Sequence, residues 1–118
     1  MDIDQEAIIK AVRQRHDGPF YLYDQKIIAE RASSLLNDFP QFEFRYSIKT
    51  NPFSPIIKYL GRRGFGADAA SAAEVDLALA AGIRPDNIFY SSPGKTKADL
   101  ERSLGKGLVI ADSYRELE

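Results

Sequence analysis

Strand-like runs recur at a nearly constant interval through most of this chain. Four of them, rich in β-branched and aromatic residues, occupy residues 42–48, 65–70, 87–92 and 107–112. With Phe44, Gly66, Asn87 and Leu108 as reference points, the spacings are 22, 21 and 21 residues. A parallel strand followed by a crossover helix needs about that length of chain. The interval therefore predicts an α/β fold in which parallel strands alternate with helices.

Capping signals support helices between the strands. The expected N-cap residues are Asp24, Ser54, Ser71 and Thr96. Glu74 stands three residues after Ser71, which completes a capping-box pattern. Gly64 and Gly82 stand where the end of a helix calls for a left-handed residue.

The region before the repeating units is organised differently. An amphipathic pattern predicts an N-terminal helix within residues 1–16, and the sequence His-Asp-Gly-Pro at residues 16–19 breaks the chain after it. The apolar run 20–23 then predicts a leading strand, whose partner is outside the repeating units or absent from these residues.

Four β/α units without a visible terminator leave two architectures open. One is a complete small α/β domain. The other, which we favour, is the N-terminal half of a β/α (TIM) barrel, a fold that typically needs about 250 residues. On this interpretation residues 1–118 form one partial barrel domain, with its units beginning at about residue 42 and the C-terminal half of the barrel absent.

Composition excludes several classes of function. The chain has no Cys and a single His, His16, which excludes thiolate metal sites and makes a His-rich centre hard to build. The net charge of −1 gives no basic surface for nucleic acid. No signal-peptide h-region and no apolar run of membrane-spanning length occurs, so we expect a cytoplasmic location and no membrane partner.

One lysine stands at a position where chemistry is expected. In the run 44–49, strand alternation puts Phe44, Tyr46 and Ile48 on one face and Arg45, Ser47 and Lys49 on the other. In β/α barrels the active site collects at the carboxyl ends of the strands. A buried lysine there would have a pKa below its usual value of about 10.4, which favours the nucleophilic amine. The alternative is a solvated strand-end lysine.

The next two strands add weaker signals. Asp68 lies among small residues and is a plausible ion-pair partner for Lys49, although a turn role explains it equally well. Glu74 is explained by the capping box alone. Gly94 precedes a helix and could help to bind an anion, but a capped loop is the simpler interpretation.

Five segments, in this order and spacing, resemble one known family. They are PFYLYD (19–24), YSIKTNP (46–52), GADAASAAE (66–74), ALAAGIRPDNIFYSSPGKT (78–96) and IADSYRELE (110–118). Together they are similar to the N-terminal part of the alanine-racemase-fold decarboxylases that use pyridoxal phosphate (PLP), the diaminopimelate, ornithine and arginine decarboxylase group. Tyr46-x-x-Lys49-x-Asn51 followed by Asp68-x-Ala-Ser-x-x-Glu74 is far more specific than either piece alone.

The resemblance implies a function and roles for three residues. Lys49 matches the lysine that bonds covalently to PLP, while Asp68 and, with less certainty, Glu74 match acidic positions near the cofactor. The implied reaction is decarboxylation of a basic or dicarboxylic-type amino acid of the diaminopimelate, ornithine, lysine and arginine class. The resemblance also implies a homodimer, and a C-terminal β-domain that residues 1–118 do not include.

Because half of the barrel is missing, we expect residues 1–118 to be inactive alone and to self-associate or to be poorly stable. The alternatives are a non-catalytic PLP-binding or carrier module of the same barrel lineage, and a structural α/β domain with a solvated Lys49.

Overall fold

A computed structural model describes residues 5–118 as four parallel strands and five α-helices. The strands are β1 (Arg45–Ser47), β2 (Gly66–Ala69), β3 (Ile88–Ser91) and β4 (Leu108–Ile110). The helices are α1 (Gln5–Arg13), α2 (Gln25–Asp38), α3 (Ser54–Arg62), α4 (Ala72–Ala80) and α5 (Lys97–Ser103). The strands follow one another across the sheet in chain order, and every pairing is parallel. The prediction of four parallel strands with flanking helices is confirmed.

Most of the expected helix ends are found. The Asp24 carboxylate accepts a hydrogen bond from the Lys26 N–H at 2.8 Å, and Ser71 Oγ accepts one from the Glu74 N–H at 3.2 Å. Helix α3 begins at Ser54, with Phe53 as its N-cap residue, one position earlier than expected. Gly64 and Gly82 have φ values of +92° and +87°, the left-handed geometry that a helix C-terminus favours.

The core lies between the sheet and helices α3 and α4. Alternate strand residues, Ala67, Ala69, Ile88 and Tyr90, pack with Ile57 and Val75 from these helices, and all six are at most 2% exposed. A second cluster, made by Ala32, Ile56, Leu60 and Phe65, joins α2 to α3 and to the start of β2. Burial of these apolar faces fixes which side of each strand points toward the helices.

The N-terminal region differs from its prediction. Helix α1 ends at Arg13 instead of reaching residue 16, and residues 1–4 of the predicted helix 1–16 lie outside the described residues. Residues 20–23 have no strand neighbour among residues 5–118 and are not in a strand there. The leading strand, whose predicted partner lies outside the repeating units, stays a prediction. Tyr21 remains 89% exposed. None of the described helices has the length and apolar character needed to cross a bilayer.

The first barrel strand is also shorter than the run 42–48. It ends at Ser47, and residues Ile48–Thr50 form a 3₁₀ turn, so Lys49 follows the strand and is not part of it. Two hydrogen bonds stabilise the turn at this point. The Thr50 hydroxyl donates to the Ser47 carbonyl at 2.7 Å, and the Asn51 N–H donates to the Ile48 carbonyl at 3.0 Å.

A substitution at Gly66 tests how closely the start of β2 approaches the chain that leads into β3. A Cβ at Gly66 would meet the backbone carbonyl and the side-chain amide of Asn87, with Asn87 Cγ 2.6 Å away. We expect Gly66→Ala to lower the free energy of unfolding by about 1–3 kcal/mol, because backbone cannot yield as a flexible side chain does. Gly94→Ala is the matched control, since nothing lies within 4 Å of that Cβ. Equal melting temperatures of the two variants in circular dichroism would contradict the close approach.

Candidate functional site

The strand register puts a polar group on the face of the sheet opposite the helices. Pairing of Arg45 with Gly66, Ser47 with Asp68, and Asp68 with Phe89 places these side chains on one side. We call this side the open face; it consists of Arg45, Ser47, Asp68, Phe89, Ser91, Leu108 and Ile110. Among residues 5–118 nothing covers it fully, and Leu108 and Ile110 are 50% and 40% exposed.

Asp68 lies at the centre of the open face. Ser47 Oγ, on β1, donates a hydrogen bond to Asp68 Oδ2 at 3.1 Å, and Ser91 Oγ, on β3, donates one to Oδ1 at 2.8 Å. Each carboxylate oxygen therefore has its own donor, one from each neighbouring strand. Two hydroxyl donors offset part of the cost of removing a charged carboxylate from water.

Lys49 lies just beyond the carboxyl end of β1 and is exposed. The backbone around Lys49 is held in place by residues on both sides of it. Ile48 is fully buried in the helix-facing core, and the Tyr46 hydroxyl donates to the Asn51 carbonyl at 3.0 Å. The expected ion pair with Asp68 is not found within 4.0 Å among the described residues; the Asp68 carboxylate accepts the two serine hydroxyls instead. The Lys49 amine has no salt-bridge partner within the part of the chain described.

Glu74 serves the start of α4. Its Oε2 accepts a hydrogen bond from the Ala70 N–H at 2.7 Å, one residue before the Ser71 N-cap, so the capping box is displaced by one position. The structure therefore supports the structural role of Glu74 directly. Both Glu74 and Asp68 belong to the carboxyl-end region of β2, the same edge at which Lys49 follows β1.

An unexpected cluster surrounds Lys95, between β3 and α5. Its side chain is completely buried, and its ammonium donates to Asp112 Oδ2 at 2.7 Å, to the Ser92 carbonyl, and lies 3.1 Å from Glu116 Oε2. The Asp112 N–H also donates to Glu116 Oε2 at 2.9 Å. We call Lys95, Asp112 and Glu116 the lysine clamp.

The lysine clamp joins the chain after β3 to the chain after β4. Sequence reasoning missed it because no motif marks its three members; the only signal was that neighbouring parallel strands bring their following loops together. The loop after β3 ends in a capping box, in which the Thr96 N–H donates to Asp99 Oδ2 at 2.9 Å and Asp99 N–H donates to Thr96 Oγ1 at 3.2 Å. This agrees with the capped-loop interpretation of the segment around Gly94.

The side chains on this edge suit an aldehyde cofactor better than a metal ion. Within residues 5–118 no cluster of three or more His, Cys, Asp or Glu residues is placed to hold a metal. An exposed amine is free to condense with an aldehyde, and a carboxylate with fixed orientation lies on the adjacent strand. The small residues Gly66 and Ala70, which alternate with the core residues as Asp68 does, leave β2 without bulky side chains near that carboxylate.

Comparison with known proteins shows which family the chain belongs to. The model of the pyridoxal-dependent decarboxylase family, pyridoxal binding domain, matches residues 25–118. The chain belongs to this family. PLP is accordingly its cofactor.

Individual relatives agree with the family. The L-glutamyl-[BtrI acyl-carrier protein] decarboxylase of Niallia circulans is 38% identical over 99% of this chain and 28% of its own length. The diaminopimelate decarboxylase of Aquifex aeolicus is 34% identical over 93% of this chain and 27% of its own length. The chain therefore spans little more than a quarter of these curated relatives.

A solved structure confirms the fold. The lysine/ornithine decarboxylase of Vibrio vulnificus, complexed with cadaverine, superposes with a TM-score of 0.85 at 25% identity, covering 99% of this chain and 33% of that one. The prediction that these residues form the N-terminal part of a PLP-decarboxylase barrel is thus confirmed.

The lysine clamp predicts a pH-dependent stability. Burial lowers the pKa of Lys95, but the hydrogen bonds to Asp112 and Glu116 outweigh it, and the pKa lies above its ordinary value of 10.5. The folded state thus holds this proton more tightly than the unfolded chain. The stabilisation is complete below pH 10.5 and is lost as the pH rises through the folded-state pKa.

We expect Lys95→Met to lower the free energy of unfolding at pH 7 by about 1–3 kcal/mol, less than for a fully buried pair because water screens Asp112. The difference in melting temperature between wild type and variant should narrow as the pH is raised above 10.5. Calorimetry across that range measures it, and a difference that stays constant would contradict the charge-based explanation.

Proposed function

We propose that the complete protein is a PLP-dependent amino-acid decarboxylase and that Lys49 is the residue to which the cofactor is attached. The observation that carries the proposal is the position of Lys49. An exposed amine without a salt-bridge partner among residues 5–118 follows β1 at the edge where Asp68 and Glu74 are also found. The family match supplies the cofactor.

The chain's own residues would divide the work at this edge. Lys49 Nζ would hold the cofactor covalently. Asp68 orients the cofactor with a carboxylate that Ser47 and Ser91 keep in one position. Glu74 holds the start of α4 with Oε2, and its Oε1, which accepts no hydrogen bond from residues 5–118, is the oxygen available to the cofactor. When bound, PLP supplies the electron sink that decarboxylation requires.

The proposed substrate is a basic or dicarboxylic-type amino acid of the diaminopimelate, ornithine, lysine and arginine class. Similarity to a diaminopimelate decarboxylase and to a lysine/ornithine decarboxylase supports this class. A second candidate is an aminoacyl group carried by a protein, because the relative with 38% identity is named as a decarboxylase of an L-glutamyl acyl-carrier protein.

We also propose that the complete protein is a homodimer and that residues 1–118 alone are inactive. The open face supports the second proposal, since Leu108 and Ile110 are 50% and 40% exposed. A reaction centre on this face would stay in contact with water, which weakens the electrostatic interactions that a closed active site provides.

Covalent labelling tests the role of Lys49. Treatment with PLP followed by borohydride should leave a stable phosphopyridoxyl group on Lys49, located by peptide mass spectrometry, and Lys49→Ala should abolish it. Lys97→Ala is the matched control, because Lys97 is also strongly exposed, its side chain 90% so, and should leave the labelling unchanged. Equal labelling of many lysines in wild type and in Lys49→Ala would contradict the assignment.

Release of CO₂ tests the reaction and its substrate. The complete reading-frame product with PLP should release CO₂ from one of diaminopimelate, ornithine, lysine or arginine, and residues 1–118 alone should release none. A glutamyl-loaded acyl-carrier protein, assayed in parallel, distinguishes the second substrate candidate. Specific labelling of Lys49 without CO₂ from any of these compounds would favour a non-catalytic PLP-binding module instead.

A further inference from the structure

The position of the Asp68 carboxylate depends on the carboxyl end of β3. Ser91, which donates the shorter of the two hydroxyl bonds to Asp68, is the last residue of the strand. Its pairing partner is Ile110, the last residue of a three-residue strand at the edge of the described sheet. The register with β2 ends one residue earlier, at Tyr90, so backbone pairing holds Ser91 only from the β4 side.

The lysine clamp contacts the same strand end from the helix-facing side of the sheet. The Lys95 ammonium donates to the carbonyl of Ser92, the residue that follows Ser91, and lies 5.6 Å from the ring centre of Tyr90, the residue that precedes it. Tyr90 belongs to the helix-facing core, whereas Ser91 belongs to the open face. Three consecutive residues, 90–92, are thus fixed by Lys95 on one side and joined to Asp68 on the other.

We propose that Lys95 is a positioning residue for Asp68, acting through Ser92 and Ser91. The clamp keeps the end of β3 in place, and the Ser91 hydroxyl thereby stays within hydrogen-bond distance of Asp68 Oδ1. The Ser91 hydroxyl lies 2.8 Å from Asp68 Oδ1, so a shift of the strand end by about 1 Å would take the two atoms beyond hydrogen-bond distance and release this side of the carboxylate.

The charges of the lysine clamp explain why the loss of Lys95 would disturb the position of the neighbouring segments. The clamp contains one cation and two carboxylates, and both Asp112 and Glu116 lie within 3.1 Å of the ammonium. Without the ammonium, two like charges would remain side by side after β4 and would repel one another. The segment after β4 would then move away from the end of β3, and Ser91 would lose its support.

The consequence for cofactor binding rests on the proposed function, in which Asp68 orients PLP. The experiment measures the PLP dissociation constant and the visible absorption maximum of bound PLP, both by titration of the complete reading-frame product. We expect Lys95→Met and Ser91→Ala each to weaken binding by roughly threefold to thirtyfold and to shift the maximum in the same direction. The double variant should show little further effect, as expected for residues that act through one another.

Two further variants separate positioning from general destabilisation. Asp112→Asn weakens the clamp with almost no change of shape, because Lys95 keeps its pair with Glu116. It should therefore weaken PLP binding in the same direction but less than Lys95→Met, and it provides the test if Lys95→Met does not fold. Lys97→Met removes the exposed Lys97–Glu101 pair of α5, in which the two charged atoms are 3.9 Å apart, and should leave the dissociation constant unchanged.

The outcomes are distinct. If the folded Lys95→Met and Asp112→Asn variants melt at lower temperature but keep the wild-type dissociation constant and absorption maximum, the clamp is structural only and this inference is wrong, while the proposed function stands. If the wild-type protein does not bind PLP, the proposed function fails, and the inference fails with it.

Discussion

A carboxylate held between two parallel strands is the interaction on which the arrangement of this edge depends. Asp68 receives one hydroxyl from β1 and one from β3, so β1, β2 and β3 are tied together on the face that the helices do not cover. Both bonds require the observed register. A shift of one residue in either pairing would turn a serine toward the helices and leave a carboxylate oxygen without its donor.

The position of Lys49 follows from the core below it. Ile48 is completely buried among helix-facing residues, which fixes the residue immediately before the lysine. The 3₁₀ turn then carries the chain out of the sheet, and Lys49 becomes exposed at the strand end. A buried apolar anchor beside an exposed amine gives the amine a defined origin while its long side chain keeps the freedom to reach a cofactor.

Local patterns in the amino-acid order predicted much of this fold and part of the candidate site. The strand interval and the capping residues Asp24, Ser71 and Thr96 were informative because each depends on contacts within a few residues. The strand over 20–23 stays a prediction, because a strand needs a hydrogen-bonded neighbour and the predicted partner lies outside the repeating units. The expected Lys49–Asp68 ion pair is not found among the described residues; the carboxylate instead accepts hydrogen bonds from two serines that are distant from it in sequence.

The amino-acid sequence alone established the β/α alternation, the family resemblance and the residue types at positions 49, 68 and 74. Periodicity and motifs are properties of residues that are close together in the sequence. Folding was needed to show that Ser47 and Ser91 hold Asp68 and that Lys95 is buried against Asp112 and Glu116. These contacts join residues of different strands and loops. Their partners are set by the register of the sheet, which the helix-facing core selects when the chain packs.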